Sequence, residues 1–71
     1  MDNLQLTYRE IDILKQLAKG KTNNEIAEII NIREYTVKSH IQNIFNKMRV
    51  DNRTEAVIVA IKLGIINIKA G

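Results

Sequence analysis

The pattern Thr-x-x-Glu occurs twice early in the chain, as "TYRE" at residues 7 to 10 and "TNNE" at residues 22 to 25, with Gly20 just ahead of the second copy. In each copy the threonine hydroxyl can accept from the backbone N–H three residues on, while the glutamate reaches back to the threonine N–H. That reciprocal arrangement is the capping box that opens a helix. Gly20 is placed to take the left-handed conformation that closes one. A helix ending at Gly20 and another starting after Thr22 leave no room for a linker, so two helices must meet at a tight corner.

Apolar spacing extends this frame along the chain. Ile13, Leu14, Leu17 and Ala18 recur at helical spacing, which predicts a first helix over about residues 8 to 19. Ile26, Ala27, Ile29 and Ile30 form the buried side of a short second helix, about 23 to 30. Asn31 tolerates positive φ better than most residues, so "Asn31-Ile32" reads as a sharp turn with Ile32 tucked back into the core. A third helix, about 34 to 48, carries Val37, Ile41, Ile44 and Met48 on one stripe. Asp51 or Asn52 can cap a fourth, about 53 to 63, which Gly64 closes. The expected fold class is all-α: a four-helix domain in which the second and third helices form a helix-turn-helix. A turn of about three residues suits a crossing near 90 to 120° rather than antiparallel stacking.

Composition agrees. The 71 residues are 45% hydrophobic and 4% aromatic, with no proline and no cysteine. Such a chain is poor in the alternation of a β-sandwich, and it can form neither a disulfide nor a thiolate metal site. We expect a single domain over residues 1 to 71, with 65 to 71 as a loosely docked tail. The start "MDNLQLTYRE" lacks a signal-peptide pattern, and "AVIVAIKLGII" is broken by Lys62 and too short to span a bilayer. A soluble cytoplasmic protein without a membrane partner is expected.

Net charge is +3, a bias with little meaning until its distribution is considered. From Tyr35 through Val50 stand Lys38, Lys47 and Arg49, with His40 and no acid, whereas Glu10, Asp12, Glu25 and Glu28 lie in the first half. A one-signed stretch on an ordered helix is what an electrostatic footprint for phosphate looks like. Opposite the apolar stripe, the third helix carries Tyr35, Lys38, Ser39, Gln42 and Asn46, all able to hydrogen-bond. In a helix-turn-helix this outer face can enter the major groove of double-stranded DNA, which is about 12 Å wide.

These elements closely resemble the DNA-binding domain of the LuxR/FixJ family of bacterial transcription regulators, which includes GerE-type regulators. The resemblance covers residues 6 to 64 and rests on "LTYRE", "GKTNNEIA", "TVKSH", "NIFNKM" and "NRTEA", in that order. It implies base contacts by Lys38, Ser39 and Gln42, and phosphate contacts by Thr22, Asn23, Asn24, Thr36 and Lys47. Tyr35 either stacks on the sugar-phosphate edge or lies along its own helix. Where the family often has a serine cap on the third helix, this chain has Arg33.

The fourth helix is apolar around most of its circumference. If Ala56, Val57, Ala60 and Leu63 pack inward, Ile58, Val59 and Ile61 are left for a homodimer contact, unless the tail folds back over them. Arg53 is placed to pair with Glu10. RNA polymerase is a further candidate partner. The rival reading is a protein-interaction module that docks polymerase or another regulator through the fourth helix without binding DNA. No catalytic set, nucleotide loop or paired carboxylates are present, and lone His40 has no second ligand at coordinating spacing. Neither an enzyme, nor a cofactor, nor a metal, nor a small-molecule ligand is expected.

Overall fold

The computed structural model describes residues 5–67. Within them the chain forms four helices and no strand: α1 (Tyr8–Ala18), α2 (Asn23–Ile30), α3 (Glu34–Met48) and α4 (Arg53–Lys62). The first and last helices each stop one residue short of the extent expected from sequence. α2 packs chiefly on α3, α1 packs on α3 and α4, and α4 also touches α3. The all-α, helix-turn-helix reading stands.

Both capping boxes form as the sequence requires. Thr7 Oγ1 accepts from the Glu10 N–H at 3.1 Å while Glu10 Oε1 accepts from the Thr7 N–H at 2.9 Å. Thr22 and Glu25 repeat this at 3.1 and 2.8 Å. Asn52, not Asp51, caps α4, its Oδ1 accepting from the Glu55 N–H at 2.8 Å.

The four C-termini share one device. After each helix a residue turns left-handed, and the N–H that follows it reaches back to a carbonyl five residues earlier, the Schellman closure. Gly20 (φ +80°) and Gly64 (φ +76°) do this without a Cβ penalty. Asn31 and Arg49, each at φ 59°, do it against one. The resulting bonds are Lys21 to Gln16 at 3.1 Å, Ile32 to Ala27 at 3.0 Å, Val50 to Phe45 at 3.0 Å and Ile65 to Ala60 at 2.9 Å. Arg49 is the terminator that sequence did not announce. Val50 is buried as a result and Ile32 packs against the core, which offsets a left-handed cost of about 1–2 kcal/mol for a non-glycine residue.

Val37, Ile41, Ile44 and Met48 are all buried, so the α3 stripe is the anchor expected of it. They join Ile13, Leu14, Leu17, Ile26, Ala27, Ala56 and Ala60 in one core. Three placements differ from expectation. Ile29 is 51% exposed and Leu63 55% exposed rather than inward. α2 is short and Ile29 falls on the side away from α3, whereas Leu63 lies past the last turn of α4. Ile66 is buried in the core, so the start of the tail is docked, not loose; Ile68 lies outside the described residues.

Glu10 is the buried charged residue of this core, 3% exposed. The expected partner Arg53 is replaced by Lys47, whose Nζ donates to Glu10 Oε1 at 2.9 Å and Oε2 at 3.2 Å. Burial by itself would raise the Glu10 pKa. The Lys47 ammonium, the Thr7 N–H and the charge of His40 together outweigh it and hold the carboxyl below the ordinary glutamate value of 4.5. A depressed folded-state pKa gives stability that is complete above the unfolded value and lost as pH falls through the folded one. The urea midpoint should therefore drop as pH is lowered from about 5 to about 3, and Glu10→Gln should make that dependence shallower. An unchanged slope in the variant would show that the pair is not linked to folding.

Candidate nucleic-acid interface

The corner between α2 and α3 is made by left-handed Asn31, which brings the two helices together over residues 31 to 33. With the apolar stripe of α3 buried, the helix can rotate no further, and its other side is fixed outward. Tyr35, Lys38, Ser39, Gln42, Asn43 and Asn46 are all exposed there, while Thr36 is half-buried at the helix start. Lys38, Ser39 and Gln42 thus share one exposed face, as the sequence spacing required, with exposed Glu34 one turn before Lys38 at its edge.

Gln42 Nε2 donates to Asn46 Oδ1 at 3.3 Å along this face. Such an i, i+4 amide pair stabilises a helix by only about 0.2–0.5 kcal/mol, so it orders the Gln42 side chain without preventing its use elsewhere. Arg33 occupies the cap position of α3 and makes no side-chain cap hydrogen bond. The first backbone N–H groups of α3 therefore have no side-chain oxygen of their own, and the missing serine is not replaced by the arginine.

The start of α2 contributes a second cluster. Thr22 and Asn24 are exposed and Asn23 is half-buried. The Thr22 backbone N–H holds the Glu25 carboxyl below its ordinary value, so this acid stays ionised and engaged with the cap. Asn23 Oδ1 accepts from Arg53 Nη2, and Lys21 O accepts from Arg53 Nη1 at 3.3 Å. Sequence missed this contact, because the two partners are about 30 positions apart and neither lies in a periodic pattern.

Lys47, expected at a phosphate, has partners within the protein. Besides Glu10, its ammonium donates to Gln5 O at 3.2 Å, so it points from α3 toward α1. It ties α3 to α1 while its side chain stays 34% exposed. On α4, Ile58 is 47% and Ile61 40% exposed, whereas Val59 is partly buried against the core. Ile58 and Ile61 are thus on the outer face expected of them, and Val59 is not free.

Among the described residues no group of three His, Cys, Asp or Glu is placed to hold a metal, and no helix is long and apolar enough to cross a membrane. The helix pair and its hydrogen-bonding outer face define a helix-turn-helix domain.

The chain belongs to the luxR family of bacterial regulatory proteins, whose family model matches residues 4–60. It is 50% identical over 62 residues to the HTH-type quorum sensing-dependent transcriptional regulator VjbR of Brucella abortus, covering 87% of this chain and 24% of that protein. It is 47% identical over 62 residues to the transcriptional regulatory protein LnrK of Bacillus subtilis, covering 87% and 28%. The crystal structure of the response regulator ChrA, from a heme-sensing two-component system, superposes with a TM-score of 0.86 at 39% identity, over 93% of this chain and 33% of that one. The chain spans about a quarter of the length of the curated relatives it matches. Those relatives are regulators of transcription.

Proposed function

We propose that the domain reads duplex DNA by laying the outer face of α3 in the major groove, with Lys38, Ser39 and Gln42 at base edges. The observation that carries this reading is the hydrogen-bonding side of α3, free of acids from Tyr35 onward and held outward by the buried stripe on its other side. Thr22, Asn23, Asn24, Tyr35 and Thr36 grip phosphates on either side. Phosphate contacts fix the register, and base contacts choose the sequence.

Two copies pair through Ile58 and Ile61 of α4, which places their α3 helices about one helical turn, roughly 34 Å, apart on the duplex. Exposed isoleucines clustered on one helix support this pairing, because isolated apolar residues are common on surfaces but adjacent ones mark contacts. RNA polymerase is a further partner of the bound dimer.

Titration of a labelled duplex library against salt tests the mechanism. Phosphates neutralised by lysine or arginine release counterions, so log K should fall with log[salt] with a slope of about −0.9 for each one. A slope of about −1 or steeper is expected if Lys38, the cation of the α3 outer face, neutralises a phosphate, together with tighter binding to probes carrying two sites than one. A flat response, with no binding above background to genomic fragments, would leave the protein-interaction module as the function.

A further inference from the structure

Among the described residues, Arg53 is the side chain that hydrogen-bonds the first turn of α4 to the corner between α1 and α2. Its guanidinium, half-buried, donates to Lys21 O at 3.3 Å and to Asn23 Oδ1. Together with Leu17, Gly20 and Thr22 these residues line an open groove at the start of α2. An amide side chain can turn either its oxygen or its nitrogen to a neighbour. A guanidinium carries donors only, so beside Arg53 the oxygen is the one orientation that makes a bond, and the flipped amide would set donor against donor. The Asn23 Nδ2 hydrogens are then directed away from Arg53, and no protein acceptor among the described residues takes them. A phosphate is an acceptor only, so these hydrogens are the part of Asn23 that DNA can use.

We infer that Arg53 is a positioning residue for DNA binding: by holding Asn23 Oδ1 it presents the Asn23 amide hydrogens to a phosphate, and so carries the placement of α4 into the grip of α2. This rests on the reading that Asn23 contacts DNA. Arg53 does not touch the duplex in this arrangement; its contribution passes through Asn23. A lysine at 53 would keep the charge but lose the planar fork that engages two acceptors at once.

A double-mutant cycle on DNA affinity separates the possibilities. Asn23→Ala should weaken binding about fivefold, the loss of one hydrogen bond. Arg53→Lys should weaken it by a similar factor in the parent chain, yet leave the Asn23→Ala variant unchanged within about twofold. Equal, additive losses from Arg53→Lys in both backgrounds would overturn the positioning role. An unchanged affinity in Asn23→Ala would instead overturn the phosphate contact itself, and the role of Arg53 with it.

Thermal melts of each variant guard against a general loss of structure. Asn23→Asp provides an arm that keeps the Arg53 partner: it retains an acceptor but offers no donor, so it should melt no lower than the parent and still bind DNA at least about fivefold more weakly. Parent-like DNA binding by Asn23→Asp would also overturn the proposal.

Discussion

Replacing Lys38 with alanine will weaken binding to the preferred duplex by roughly 5- to 100-fold, with no measurable change in melting temperature. The affinity follows from position: Lys38 stands in the middle of the outward face, one residue beyond buried Val37 and three before buried Ile41. A direct base contact discriminates by about 1–3 kcal/mol, whereas a surface change away from caps and core alters stability by less than about 0.5 kcal/mol. The pattern of the loss says which contact was made. If Lys38 reads a base, discrimination between the preferred site and its single-base variants collapses at one position. If it meets a phosphate, binding weakens evenly across sequences and the salt slope shrinks by about 1. Parent-like affinity and base preference would remove Lys38 from the interface and leave Ser39 and Gln42 to carry recognition.

Ile44→Ala will act in the opposite way, on the fold before the interface. Ile44 is fully buried, among the largest such side chains with Ile13, Leu14, Ile26 and Val37. Cutting a buried isoleucine to alanine costs about 2–5 kcal/mol through lost transfer energy and the cavity left behind. A domain of this length has only about 4–10 kcal/mol in total. At about 4–8 °C per kcal/mol for a domain of this size, a melting temperature at least about 10 °C lower is expected by circular dichroism. DNA binding should fall with it at temperatures where the variant is partly unfolded, and recover on cooling. Ile58→Ala, on the exposed side of α4, is the control and should leave the melt nearly unchanged. A drop of under about 1 kcal/mol for Ile44→Ala would mean that the α3 stripe is not what holds the helix.

These two substitutions fall on opposite faces of one helix, and that division was legible from spacing. Val37, Ile41, Ile44 and Met48 had to share a side, and Lys38, Ser39 and Gln42 therefore had to share another. Sequence was less informative for α4. Its residues are apolar nearly all round, so periodicity could not choose a buried face. The packed structure chose the small residues: Ala56 and Ala60 are fully buried, which lets α4 approach α1 closely, and the bulky Ile58, Ile61 and Leu63 lie outside.

What the sequence by itself determined are the features whose physics is local. Capping boxes at Thr7 and Thr22 and left-handed stops at Gly20, Asn31 and Gly64 each involve atoms within five residues of one another, and successive members of the α3 stripe are three or four residues apart. Local hydrogen bonds and helical periodicity are enough to write them down. What only the tertiary structure decided is which distant charges meet. The sequence offered Arg53 as the partner of Glu10 and placed Lys47 at a phosphate, and spacing along a helix cannot say which cation crosses to Glu10. The choice depends on how α3 and α4 each pack on α1. Lys47 goes to Glu10 across 37 positions and Arg53 goes to Asn23 across 30.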